Sequence, residues 1–132
     1  MNAVKIKCRA LMVGDWICDE HGFPMQITTV GDDYAYATFE DNEADPWEFD
    51  DKDDQPEPIP ITYEILKKNG WKDAEYWIEY QDDKSIIQCG LPIMRGRING
   101  IVIEDFKCEY VHQYQHLLRL CGLDELADNF KV

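Results

Sequence analysis

Ten of the residues between positions 40 and 57 are acidic (Glu40, Asp41, Glu43, Asp45, Glu48, Asp50, Asp51, Asp53, Asp54 and Glu57) and only Lys52 is basic. No other feature restricts the fold as much. Closely spaced like charges repel, and Pro46, Pro56 and Pro58 lack the amide hydrogen that a helix or a sheet ladder requires. The run therefore predicts an extended acidic linker over 40–57. It holds −9 of the chain's −14, so the rest is only mildly acidic. Trp47 and Phe49 sit inside it at alternate positions, able to latch onto their own domain or to anchor a partner.

A calcium loop is the obvious use of so many carboxylates, and the spacing argues against it. Counting from Asp41 puts Asp41, Glu43 and Asp45 at the first, third and fifth positions. The sixth is Pro46 where glycine is needed, and the twelfth is Lys52 where glutamate is needed.

On either side of the run the chain reads as folded. It has 132 residues, 45% apolar and 12% aromatic, enough to bury about two-thirds of the surface its unfolded form exposes. Val4, Ile6, Cys8 and Ala10 alternate with polar neighbours. Trp16–Cys18, Phe23–Val30 and Tyr34–Phe39 follow as short strands between turns at Asp19–Gly22 and Gly31–Asp33. Residues 1–39 thus predict a β subdomain, a small curled sheet or a partly open barrel.

Residues 58–132 predict an α+β subdomain that either shares one core with 1–39 or stands apart. Thr62 caps a short helix, Glu64 faces the positive end of its dipole, and Ile61 can staple onto Leu66. Lys67, Lys68 and Gly70 close it. Strand-like runs at Tyr76–Tyr80, Ser85–Cys89 and Ile98–Phe106 predict a second small antiparallel sheet, with turns at Asp82–Asp83 and over Pro92–Gly100. A helix from about Lys107 to Cys121 should pack on that sheet through Val111, Tyr114, Leu118 and Cys121. The tail from Leu123 is a short helical turn or frayed. The fold class expected is α+β.

Chemistry is sparse. His112 and His116 lie four apart, the helical spacing with which zinc enzymes hold a metal, but position 113 is Gln where the zinc-protease pattern has its glutamate. These two histidines are the metal candidates, with Glu109 a nearby acid. Arg95 and Arg97 occupy the one basic, glycine-bearing loop, where two arginines presented on a turn could grip a carboxylate or phosphate in bidentate fashion, or pair with the chain's own acids. Ser85 is the only serine and lacks a nucleophile-elbow setting, and no glycine-rich phosphate loop is present. Cys108 and His112 are in helical reach without an identifiable third group. The five cysteines include no Cys-x-x-Cys pair, which suggests neither a disulfide framework nor a cysteine zinc site. No catalytic residue and no cofactor is assigned.

Three stretches resemble an uncharacterised family of small proteins from phages and mobile elements of Bacteroides-type gut bacteria. They are Leu11-Met12-Val13-Gly14-Asp15-Trp16-Ile17, the run Pro58–Thr62 leading to Ile65–Trp71, and Tyr110-Val111-His112-Gln113-Tyr114-Gln115-His116-Leu117. The resemblance implies the same order of parts and no established activity. Within the last stretch Tyr110, His112 and Gln115 match the family pattern, while His116 falls where Asn is often expected.

The expectation is a non-enzymatic protein-interaction module that binds a basic protein partner, with Trp47, Phe49, Arg95 and Arg97 as partner-binding residues. Two alternatives stand beside it: an acidic nucleic-acid mimic that blocks a host DNA-binding protein, and a metal-dependent enzyme using His112 and His116. A charge of −14 opposes direct binding of nucleic acid. No apolar run is long enough to span a bilayer, and Lys5, Lys7 and Arg9 interrupt any signal-peptide core, so a cytoplasmic location without membrane contact is expected.

Overall fold

A computed structural model describes residues 5–132; Val4, the first residue of the expected opening strand, lies outside them. Among the described residues the fold is α+β, two five-stranded antiparallel sheets with three short α-helices, and neither sheet closes into a barrel. The chain divides into two compact units, one ending at Ile59 and one beginning at Pro60.

In the first unit the strands are β1 (Trp16–Cys18), β2 (Pro24–Val30), β3 (Tyr34–Phe39), β4 (Asn42–Asp50) and β5 (Glu57–Pro58), arranged in the order β4-β3-β2-β1-β5. Cys8–Ala10, expected as the end of a strand, is instead a 3-10 turn. Its amides explain the difference: Cys8 N–H donates to the Asp51 carboxylate at 2.8 Å, and Ala10 and Leu11 N–H donate to Lys7 and Cys8 carbonyls. Ile6, Cys8 and Leu11 are buried all the same, with Ile17, Met25, Ile27, Ala35, Ala37 and Phe49.

The acidic run is not a linker. It is extended only in part: residues 42–50 form strand β4, hydrogen-bonded to β3 in the register Tyr34↔Asp50, Ala35↔Phe49, Tyr36↔Glu48 and Ala37↔Trp47, and residues 51–53 turn. Only one side of an edge strand needs partners, so Pro46 is tolerated there and the carboxylates project into water. Phe49 supplies the apolar anchor that holds such a strand down. One buried side chain, not the mean charge, decided the outcome.

The second unit contains α1 (Tyr63–Lys68), then β6 (Lys72–Asp73), β7 (Ile78–Gln81), β8 (Ile86–Gly90), β9 (Ile93–Ile98) and β10 (Ile101–Lys107), then α2 (Val111–Leu120) and α3 (Asp124–Asp128). Its sheet is a meander, β10-β9-β8-β7-β6. Thr62 Oγ1 accepts from Ile65 N–H at 3.2 Å, Gly70 takes φ +88, and Ile61, Leu66 and Trp71 are buried, so α1 ends and begins as its sequence predicts. The Trp71 ring lies 5.8 Å from Tyr80 on β7 and 5.9 Å from Tyr114 on α2, tying sheet to helix.

Pro92–Gly100, expected as a turn, contains strand β9. The turn shrinks to Asn99-Gly100, both at positive φ (51 and 80), the conformation that a two-residue hairpin matched to sheet twist requires. Gly96 belongs to the strand for a steric reason, since a Cβ there would collide with the Ile86 carbonyl. Helix α2 begins at Val111 because Lys107 is still in β10, and because the Gln113 side-chain carbonyl accepts from the amides of Glu109 (2.8 Å) and Tyr110 (3.1 Å), closing the helix start. The tail is ordered as α3, held by Gln115 Nε2 donating to the Ala127 carbonyl at 3.0 Å.

Candidate functional site

Period-two alternation gives the second sheet two unlike faces. Ile78, Ile87, Cys89, Met94 and Ile98 are buried, while the residues between them face water. On β9 that places Ile93, Arg95 and Arg97 on the open side. The register extends the row sideways: Gln88 opposite Arg95, and Ile86 and Val102 flanking Arg97. A hollow at one end is lined by Tyr76, Trp77, Gln88, Ile93, Arg95 and Asp105. Tyr76 is 80% and Trp77 37% exposed, with ring centres 6.3 Å apart. An adjoining depression brings Arg95 and Arg97 beside Val102, Glu104 and Asp105.

Among the described residues no hydrogen bond or ion pair engages the Arg95 or Arg97 guanidinium. Their expected pairing with the chain's own acids does not form, although 27 carboxylate side chains are available. Each guanidinium keeps its planar fork of donors free for a carboxylate from elsewhere. Sequence reasoning missed Tyr76 and Trp77. It placed both in a strand that begins only at Ile78, and alternation alone does not say which face of a sheet is covered.

The aromatic pair of the acidic run is split. Phe49 is 1% exposed and packed in the first core, so it does not present its ring to a partner as expected. Trp47 remains 52% exposed, its indole N–H donating to Asp54 Oδ2 at 3.0 Å. Beyond it the acids organise their own turn. Asp50 accepts from the amides of Asp53 and Lys52, and Asp51 accepts from the amide of Cys8, which holds both carboxyls below their ordinary range.

On α2, His112 is buried and His116 half-buried, their ring centres 5.5 Å apart, with Tyr110 stacked on His112 at 6.1 Å. Among the described residues no three His, Cys, Asp or Glu side chains converge to hold a metal ion. His21 belongs to the first unit, beside Glu20 at 3.5 Å. Gln113, at the glutamate position of the zinc-protease pattern, is occupied in closing the helix start. Burial pushes the Cys108 thiol up to about 12 and Cys89 up to about 11, so both stay protonated and poorly nucleophilic at neutral pH. Ser85 is buried, its hydroxyl accepting from the Asn99 amide at 3.1 Å.

Among the described residues no helix is long and apolar enough to cross a membrane. Comparison with known proteins finds no family model that matches this chain, and no curated protein and no solved structure similar to it.

Proposed function

We propose that this protein is a non-enzymatic interaction module, working in the cytoplasm of a host cell on behalf of a phage or mobile element, which binds a protein partner through the open face of its second sheet. The unengaged pair Arg95 and Arg97, beside exposed Tyr76 and Trp77, carries the reading. Arginine, tryptophan and tyrosine are the residue types that dominate binding energy at protein interfaces. The partner that fits presents carboxylates to the guanidiniums and one apolar side chain to the hollow. A basic partner, as the acidic run suggests, would engage Trp47 and the carboxylates of β4 instead.

Affinity capture from host cells with the tagged full chain separates the two. A partner lost from the Trp77→Ala, Arg95→Glu double variant and retained by Trp47→Ala supports the sheet face. The opposite pattern moves the contact to β4. A set of captured proteins unchanged by both variants counts against an interaction role for either surface.

A further inference from the structure

Strand β10 is the edge of the second sheet, and among the described residues nothing pairs with its outer side. The side chains that open it are apolar: Ile101 and Val102 are exposed and Ile103 is half-buried. A free β edge of this composition is the kind of surface that other proteins cover or charge.

The hairpin fixes which backbone groups are free. In a two-residue hairpin the residues flanking the loop, here Ile98 and Ile101, form a hydrogen-bonded pair. Antiparallel ladders alternate, so the next pair, Arg97↔Val102, is not hydrogen-bonded, and the N–H and C=O of Val102 point outward. Ile103 turns inward to Gly96, and Glu104 outward again before the irregularity at Asp105, whose φ is +49. Val102 and Glu104 are therefore the docking points of the edge, and both side chains lie on the open face with Arg97.

We infer that two copies of this chain associate by antiparallel pairing of β10 with β10 about a two-fold axis at Ile103. In that register each Val102 sits opposite the Glu104 of the other copy, and reciprocal backbone bonds form on both sides of the axis. The charges then complement each other. Arg97, Val102 and the second copy's Glu104 form one row across three strands, in which the backbones of β9 and the second β10 are about 10 Å apart. A long arginine and a glutamate can close that gap over the short valine. Two-fold symmetry makes the contact twice, and it satisfies a guanidinium that the described residues leave unengaged. The kink at Asp105 ends the pairing, so the seam is short and the dimer is one that dissociates on dilution. This association does not rest on the partner contact proposed above; it takes up Arg97, which that contact also uses, whereas Trp77 and Arg95 play no part in it.

Sedimentation velocity of the full chain over a range of concentrations tests the inference. The wild-type chain shifts from monomer to dimer as concentration rises. Glu104→Arg changes the net charge from −14 to −12 and so lowers general repulsion, yet it weakens the dimer about tenfold or more because it faces Arg97 with a second cation. Arg97→Glu weakens it likewise. The double variant Arg97→Glu, Glu104→Arg, at the wild-type net charge, restores it. Val102→Pro, which removes an outward N–H, abolishes it with unchanged far-ultraviolet circular dichroism. A wild-type chain that stays monomeric throughout, or a dimer that Glu104→Arg strengthens or leaves alone, overturns the inference.

Discussion

On β4 the sheet edge carries Glu43, Asp45, Pro46 and Glu48, whereas β10 opens with Ile101, Val102 and Ile103 before its first acid. Both strands close a five-stranded antiparallel sheet on one side, and both are mostly exposed. They differ in what a second strand would meet. On β4 it would meet repelling carboxylates and a residue with no N–H, two devices that keep edges from pairing. On β10 it would meet β-branched side chains and a regular ladder as far as Glu104. Four of the ten acids of the run, Glu43, Asp45, Glu48 and Asp50, thus lie on a sheet edge, a structural role that composition does not reveal.

Removing what fastens β4 should be the costliest change to the first sheet. Phe49→Ala deletes a fully buried ring from the first core and should cost about 3–5 kcal/mol in chemical denaturation. Trp47→Ala, on the same strand, should cost less than about 1 kcal/mol, since surface changes are usually small. Equal losses would mean that the two rings are not divided between core and solvent.

The β10 side is sharpened by its turn. A Cβ at Gly100 would meet nothing within 4 Å, so the cost of Gly100→Ala is conformational, arising from φ +80. About 1–2 kcal/mol is expected in thermal or urea unfolding, because side chains are strained in the left-handed region. A neutral outcome would show that Asn99-Gly100 does not set the register on which the outward N–H of Val102 depends.

Disarming β4 should have a still smaller effect on stability and a visible one on association. The triple variant Glu43→Thr, Asp45→Thr, Pro46→Thr replaces exposed edge residues with a good strand former, and stability should move by less than about 1 kcal/mol. Light scattering should report concentration-dependent association absent from the parent edge. A triple variant that associates no more than wild type would leave the charge on β4 without the protective role assigned here.

How much of this was legible in the sequence depends on the range over which each signal acts. Helix α1 was readable to the residue because Thr62, Glu64, Lys67 and Gly70 each act within one turn of the next. The Asn99-Gly100 turn announced itself for the same reason. Strand β4 did not, because its pairing with β3 rests on Phe49 finding Ala35 and the core beneath, a contact that no charge pattern encodes. Strand β9 was hidden by Arg95-Gly96-Arg97, which resembles loop chemistry until Met94 and Ile98 are seen on the buried face. The arginine pair was visible as a candidate. Its surroundings appear only in three dimensions, where the register sets Val102 beside Arg97 and the segment before β7 brings Tyr76 and Trp77 to Arg95.

The acidic turn that follows β4 carries a pH signature. The Cys8 amide holds the Asp51 carboxyl below its ordinary value of 3.8, and the amides of Asp53 and Lys52 do the same for Asp50. A carboxyl depressed in the folded chain binds fewer protons there than in the unfolded chain, so its contribution to stability is complete above 3.8 and is lost as the pH falls through the lower folded value. Both groups are open to water, and the effect is correspondingly modest. Asp51→Asn is the discriminating substitution, because the amide oxygen can still accept from Cys8 N–H while nothing remains to titrate. Denaturation midpoints of the wild-type chain should fall more steeply than those of Asp51→Asn as pH drops below 3.8, whereas the two curves should run parallel at neutral pH. Parallel curves throughout would show that the turn is held by its backbone alone, and that charge on this edge acts outward, on approaching strands, without contributing to the fold of the strand that carries it.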